Sequence, residues 1–93
     1  MSENLDHIQL FNKEIKRILL KDWDPIGIKD IAEAQDEYDS YIPLISQMIT
    51  SHKSIHEIFE YLWWIETEHM GLIGNKQITK FIAVKLQLLA KLV

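Results

Sequence analysis

The sequence predicts an all-α protein, a single-domain bundle of about four helices. Apolar residues recur at spacings of three and four along most of the chain, the pattern of helices that bury one face. No segment alternates apolar and polar residues as a half-buried strand does. A chain of 93 residues supports one hydrophobic core, so residues 1–93 are expected to form one helical domain with short connections between its helices.

The first half of the chain predicts two helices joined by a loop. Helix 1 is expected from about residue 4 to residue 22, because Pro25 disfavours helical backbone at Asp24 and Gly27 gives the chain freedom to turn. Residues 28–39 lack helical periodicity and predict a loop with at most one helical turn. Helix 2 is expected from about residue 40 to residue 51.

The boundaries of helices 2 to 4 rest on capping signals. Pro43 fits helix 2 only within its first turn, with Asp39 or Ser40 as the cap. Ser54-Ile55-His56-Glu57 matches a capping box and predicts the start of helix 3, which should run from about 55 to 70 and stop at Gly71. Helix 4 is expected from about 76 to 92.

Composition narrows the classes of function. The chain has no cysteine, which excludes disulfides and thiolate metal sites. Its first residues resemble no secretion signal, and no apolar run approaches the ~18 residues of a membrane span, so a cytoplasmic protein away from the membrane is expected. The net charge of −4 argues against direct binding of nucleic acid. The sequence also lacks a nucleophile elbow and a phosphate-binding glycine loop. We therefore expect no enzyme and no cofactor.

Negative charge is concentrated in one segment, residues 22–39, which we call the acidic segment. It holds seven acidic residues against Lys29 alone, a net charge of −6 in a chain whose total is −4. Such a concentration of one sign attracts a basic partner and makes the binding sensitive to salt. Beside it, tyrosine and tryptophan are side chains that often anchor protein interfaces. The candidate partner-binding residues are Asp30, Glu33, Asp36, Glu37, Tyr38, Asp39, Tyr41 and Trp64.

These residues also have a structural interpretation. Asp22, Asp24, Asp36 and Asp39 could cap helices or solubilise the loop, and Tyr38 and Tyr41 could be half-buried core residues. Asp30, Glu33, Asp36 and Glu37 are therefore better candidates for partner contact than Asp22, Asp24 or Asp39. Trp63 and Trp64 point about 100° apart on a helix, so one is expected in the core and the other at an interface.

A metal site is the main alternative with chemical function. Glu66 and His69 have the Glu-x-x-His spacing that places a carboxylate and an imidazole on one helical face. His52 and His56 are four residues apart but straddle the predicted cap at Ser54. Di-iron bundles need two Glu-x-x-His copies, and this chain has one. A metal site is consequently not the favoured prediction.

Three segments together resemble a known group of proteins. They are Trp23-Asp24-Pro25-Ile26-Gly27, Asp36-Glu37-Tyr38-Asp39-Ser40-Tyr41 and Glu68-His69-Met70-Gly71-Leu72. Their spacing, over about residues 15–89, resembles a family of small and largely uncharacterised bacterial proteins, some of which look like immunity proteins of contact-dependent or polymorphic toxin systems. The resemblance implies a cognate toxin as partner, often a basic nuclease or RNase, and carries no catalytic residues onto this sequence.

The resulting hypothesis is an immunity protein that occludes the active site of a basic toxin with its acidic surface. A small metal-binding protein or enzyme using Glu66 and His69 is a first alternative. A helical adaptor or homodimer, formed through surplus apolar surface on helices 3 and 4, is a second.

Overall fold

Helix 1 is built in two parts. In the computed structural model, which describes the backbone of residues 2–92 and the side chains of residues 8–92, α1 spans Ser2–Arg17 and continues as a π-helix over Ile18–Trp23. It ends at Asp24, whose left-handed φ of 38° lets its N–H donate to the carbonyl of Leu19 at 2.9 Å. The predicted turn before Pro25 is confirmed.

The loop that follows is more regular than its sequence pattern indicates. A 3₁₀ turn spans Ala32–Ala34, and a second, Asp39–Tyr41, leads into α2 over Ile42–Thr50. From residue 28 to residue 41 the backbone forms a series of turns closed by N–H donation to the carbonyl three residues earlier. Pro43 lies in the first turn of α2 as expected, but the expected cap at Asp39 or Ser40 is wrong, since Tyr41 occupies the cap position without a side-chain hydrogen bond.

The remaining two helices begin where the sequence predicts them. Helix α3 spans Ile55–Trp64 and continues as a π-helix over Ile65–His69, and α4 spans Lys76–Leu88 and ends in a 3₁₀ turn over Leu89–Leu92. Gly71 has a φ of +70°, the left-handed conformation predicted for the stop after helix 3. The all-α class with four helices is therefore confirmed, and the structure contains no strand between residues 2 and 92.

The core lies between the apolar faces of the four helices. Helix α3 packs against α4, the π-helical end of helix 1 packs against α4, and α1 packs against α2. The largest fully buried side chains include Ile15, Leu19, Ile45, Ile49, Ile58, Leu62, Ile65, Ile82 and Leu86. One continuous core thus draws on all four helices. None of the described helices is both long enough and apolar enough to cross a membrane.

The capping box of α3 gives a first test of the fold. Ser54 Oγ accepts from the Glu57 N–H at 3.1 Å, and Glu57 Oε1 accepts from the Ser54 N–H at 3.4 Å. We expect Ser54→Ala to lower the free energy of unfolding by about 1 kcal/mol, because one N–H of the first turn loses its acceptor. Urea denaturation measures this. Ser51→Ala, at the C-terminal end of α2, is the matched control and should change stability by less than about 0.5 kcal/mol; equal losses in both variants would contradict the prediction.

Candidate functional site

The structure divides the acidic segment into bonded and unbonded residues. Asp22 forms an ion pair with Lys85 at 2.9 Å and a longer one with Arg17 at 3.5 Å, which ties the end of helix 1 to α4. Asp39 pairs with Lys16 of α1 at 3.1 Å. These two carboxylates are engaged in holding the segment to the helices.

Asp24 organises the loop from within. Its Oδ1 accepts from the Ile28 N–H at 2.7 Å and from the Tyr38 hydroxyl at 2.9 Å, and its Oδ2 accepts from the Lys29 N–H at 3.2 Å. Burial acts to raise the pKa of Asp24, but these hydrogen bonds, with the charge of Lys29, outweigh burial and lower the pKa below its usual value. Asp24 is therefore the polar centre of the loop.

The lowered pKa of Asp24 predicts how the loop responds to acid. A carboxyl group whose pKa falls on folding stabilises the folded state. The stabilisation is full at pH values well above the unfolded pKa of 3.8, and it is lost as the pH falls through 3.8 and below. We expect wild type to be more stable than Asp24→Asn at pH 6, and the difference to shrink by pH 3. Asn tolerates the left-handed backbone at this position, so the variant removes the charge and keeps the turn. Urea midpoints of both proteins across this pH range measure the effect, and a constant difference would contradict it.

Tyr38 belongs to the core and not to a partner-binding surface. Its side chain is 3% exposed, its ring lies 5.9 Å from that of Trp23, and its hydroxyl accepts from the Ile26 N–H at 3.2 Å. Burial, with the nearby carboxylates of Asp24 and Glu37, raises the pKa of Tyr38. The prediction that Tyr38 contacts a partner is therefore wrong for this conformation, and its alternative role in the core is the one observed.

Four acidic residues of the segment remain exposed, and we call them the acidic edge: Asp30, Glu33, Asp36 and Glu37. None of them forms an ion pair with another described residue. Asp30, Glu33 and Asp36 recur every three residues, the same interval as the hydrogen-bonded turns of this loop. Ile31, between Asp30 and Glu33, has extended backbone with a φ of −96° and a ψ of 111°, so these acids lie on separate turns of one loop.

An aromatic row adjoins the acidic edge, consisting of Tyr41, His69 and Trp64. The rings of Tyr41 and His69 meet edge-on with centroids 6.1 Å apart, and His69 stacks on Trp64 at 5.7 Å. Burial first, and then the negative charge of Glu37, raises the pKa of Tyr41, so one member of the acidic edge acts electrostatically on the row. Trp64 is 51% exposed, whereas Trp63 is half-buried and stacks on Phe59.

The row brings together two predicted contact residues, Tyr41 and Trp64, and adds His69, which the sequence suggested as a metal ligand. His69 was a candidate metal ligand with Glu66, yet it is exposed and contacts aromatic rings, while Glu66 is 4% exposed. Within the described part of the chain, no three His, Cys, Asp or Glu side chains are grouped as metal ligands.

Glu66 accepts hydrogen bonds inside the bundle. Its Oε1 accepts from Trp23 Nε1 and from the Thr79 hydroxyl, and its Oε2 accepts from the Asn75 N–H at 3.3 Å. A sequence signal was available, since Ile58, Leu62 and Glu66 are spaced by four residues along the buried face of helix 3. A buried tryptophan also needs an acceptor for its indole N–H.

Exposed apolar side chains follow helix 3. Ile73 is 96% exposed in the connection to α4, and Ile78, Phe81 and Leu88 on α4 are each about half exposed. The homodimer was predicted on helices 3 and 4, and of these four exposed side chains the three on α4 belong to that surface. The homodimer stays a prediction, which light scattering at two concentrations would check.

No protein-family model, curated protein or solved structure matches this chain. The chemistry of its own surface therefore carries the functional proposal.

Proposed function

We propose that this chain is an immunity protein, which binds a cognate bacterial toxin in the cytoplasm and blocks its active site. The toxin class that fits best is a basic nuclease or RNase domain. The observation that carries the proposal is the acidic edge, four exposed carboxylates without an ion-pair partner among the described residues, on a loop whose other carboxylates are all bonded.

Unpaired carboxylates on an ordered loop suit the recognition of a basic active site. Nuclease active sites hold Lys and Arg that bind the phosphates of their substrate. The carboxylates of the acidic edge would compete with phosphate for the same cationic side chains. Because the backbone of the loop is fixed by successive turns and by Asp24, little conformational entropy is lost when the acidic edge binds. This arrangement favours fast association with a basic protein.

The aromatic row provides the second component of a stable interface. Charge complementarity chiefly sets the association rate and the specificity, whereas buried aromatic side chains slow dissociation. Trp64 presents half of its surface, and its stacking on His69 fixes the ring before any partner arrives. Trp and Tyr are the residue types most often found at the energetic centre of interfaces. Inhibition in this proposal is by occlusion and involves no catalytic step.

Coexpression tests the proposal. The C-terminal domain of a secreted toxin encoded immediately upstream of this chain is expressed alone and together with the chain. We expect growth arrest with the domain alone, recovery when the chain is present, and copurification of the two proteins.

Specificity provides the control for that experiment. A toxin domain of the same enzymatic class from an unrelated gene pair should still arrest growth in the presence of this chain, since immunity depends on complementary surfaces. Absence of a neighbouring toxin gene, or arrest by the neighbouring toxin that the chain does not relieve, would refute the proposal.

A further inference from the structure

A cavity of about 290 Å³ lies where three parts of the fold meet. It is lined by Trp23 at the end of the first π-helix, by Glu66 in the second, and by Asn75 and Ile78 at the start of α4. Pro25 and Leu72 complete its apolar wall. The acidic edge and the aromatic row do not line this cavity, so the site is separate from the proposed toxin-binding surface.

Glu66 gives the cavity its chemistry. The Trp23 indole N–H and the Asn75 N–H donate to the carboxylate, and the Thr79 hydroxyl, which also lies 2.9 Å from the Asn75 carbonyl oxygen, contacts its Oε1. No Lys, Arg or His among the described residues forms an ion pair with it. Buried charges in proteins are normally paired with an opposite charge, because neutral hydrogen bonds compensate only part of the lost hydration. A cation that entered this cavity would supply the opposite charge.

The backbone around the cavity adopts unusual conformations on every side. Both π-helical segments of the described chain border it, and π-helical turns are rare and often found at functional sites. Asp24 at its rim has a left-handed φ of 38°, which few non-glycine residues adopt. At Gly74 a Cβ atom would lie 2.9 Å from Glu66 Oε2 and 2.8 Å from the Trp63 ring. The two π-helical segments and the left-handed backbone of Asp24 and Gly74 thus surround the Glu66 carboxylate at this cavity.

We infer that this cavity binds a single guanidinium or primary ammonium group, with Glu66 as its counter-charge and Trp23 and Ile78 in contact with its alkyl chain. The volume, at the lower end of small-molecule pockets, fits a group of side-chain size. Two sources could supply this group, a free alkylguanidine or alkylamine and the side chain of Arg or Lys in a protein, and the chemistry of recognition is the same for both.

The indole N–H of Trp23 is a direct reporter, because it donates to Glu66. The chain has three tryptophans, so its ¹H–¹⁵N spectrum should contain three indole signals, assigned with Trp63→Phe and Trp64→Phe. We expect titration with butylguanidinium to shift the Trp23 signal saturably and to leave the Trp64 signal in place. Butylurea, its neutral analogue, should shift none of them. An acetylated and amidated Gly-Gly-Arg-Gly-Gly peptide is the second arm, and a response to the free cation but not to the peptide would identify a small molecule as the source.

Variants assign the binding to Glu66. Glu66→Gln keeps an acceptor oxygen and removes the charge, and we expect it to weaken butylguanidinium binding at least tenfold. Glu68→Gln makes the same change at an exposed position two residues away and should bind as wild type does. Ile78→Phe places a larger side chain in the cavity and should also weaken binding. Because Ile78 is half-exposed, this variant is expected to fold, so it provides a test even if Glu66→Gln does not fold. Equal responses to butylguanidinium and butylurea, or unchanged binding in the folded Glu66→Gln or Ile78→Phe variant, would overturn the inference.

Discussion

Replacing Glu66 by alanine is expected to lower the free energy of unfolding by about 3 kcal/mol. The substitution leaves the indole N–H of Trp23 and the Asn75 N–H without their acceptor, while the Thr79 hydroxyl keeps the Asn75 carbonyl oxygen at 2.9 Å. Each buried donor left unpaired costs roughly 1–3 kcal/mol, and water entering from the adjacent cavity recovers part of this. The loss is a large fraction of the ~5–15 kcal/mol that stabilises a small domain. Urea denaturation, followed by circular dichroism, measures it.

Two variants separate the hydrogen bonds of Glu66 from its charge. Glu66→Gln retains an oxygen for Trp23 and Thr79 and should cost about 1 kcal/mol, well below the alanine variant. Glu68→Ala, on the same turn but exposed, should change stability by less than about 0.5 kcal/mol. If Glu66→Ala were no less stable than Glu68→Ala, the hydrogen bonds inside the bundle would not contribute as described.

Neutralising the acidic edge should weaken the proposed toxin complex by about 5- to 1,000-fold. The variant carries Asp30→Asn, Glu33→Gln, Asp36→Asn and Glu37→Gln together. Each exposed charge that meets an opposite charge contributes roughly 0.2–1 kcal/mol, so four contribute about 1–4 kcal/mol, each 1.4 kcal/mol being tenfold in affinity. Calorimetric titration against a catalytically inactive toxin domain measures the change.

Salt and stability provide the controls for this variant. The affinity of wild type should fall steeply between about 0.05 and 0.5 M NaCl, while that of the variant should change little, because screening acts on the charges that the variant lacks. The thermal midpoint should be retained, since none of the four carboxylates forms an ion pair within the described chain. Glu60→Gln, an exposed glutamate of α3 outside the acidic edge, should bind as wild type. Full affinity in the quadruple variant would remove the electrostatic basis of the proposal.

Local signals in the sequence located the helices well. The capping box at Ser54, the left-handed stop at Gly71 and the turn at Pro25 each depend on residues within a few positions of one another. Part of the division of the acidic segment into bonded and unbonded carboxylates was also predictable. Asp is a residue type whose side chain often accepts from backbone N–H groups in loops, and Asp24 accepts from the Ile28 N–H in this way. Each of these features could be predicted from the chemistry of residues that are neighbours in the sequence.

Contacts between distant residues could not be predicted in the same way. Trp23 and Glu66 are 43 positions apart and Lys16 and Asp39 are 23 apart, so no periodicity within a helix indicates either pair. Tyr38 is an example of a residue whose position was predicted wrongly for this reason. Its neighbours in the sequence are acidic, which suggested a surface position. In the structure it is buried, and its hydroxyl donates to Asp24, 14 residues away. The aromatic row depends likewise on how helix 3 packs beside the loop.

The two π-helical segments restrict how the length of this chain can vary. A π-helical turn contains about one residue more than the α-helical turn it replaces. Losing a residue from Ile18–Trp23 or Ile65–His69 would restore α-helical geometry and rotate the following side chains by about 100° about the helix axis. Trp23 and His69, the last residues of these segments, would then point away from their present contacts. Although deletions are usually tolerated near loops, we expect these two helix ends to be sensitive to the loss of a single residue.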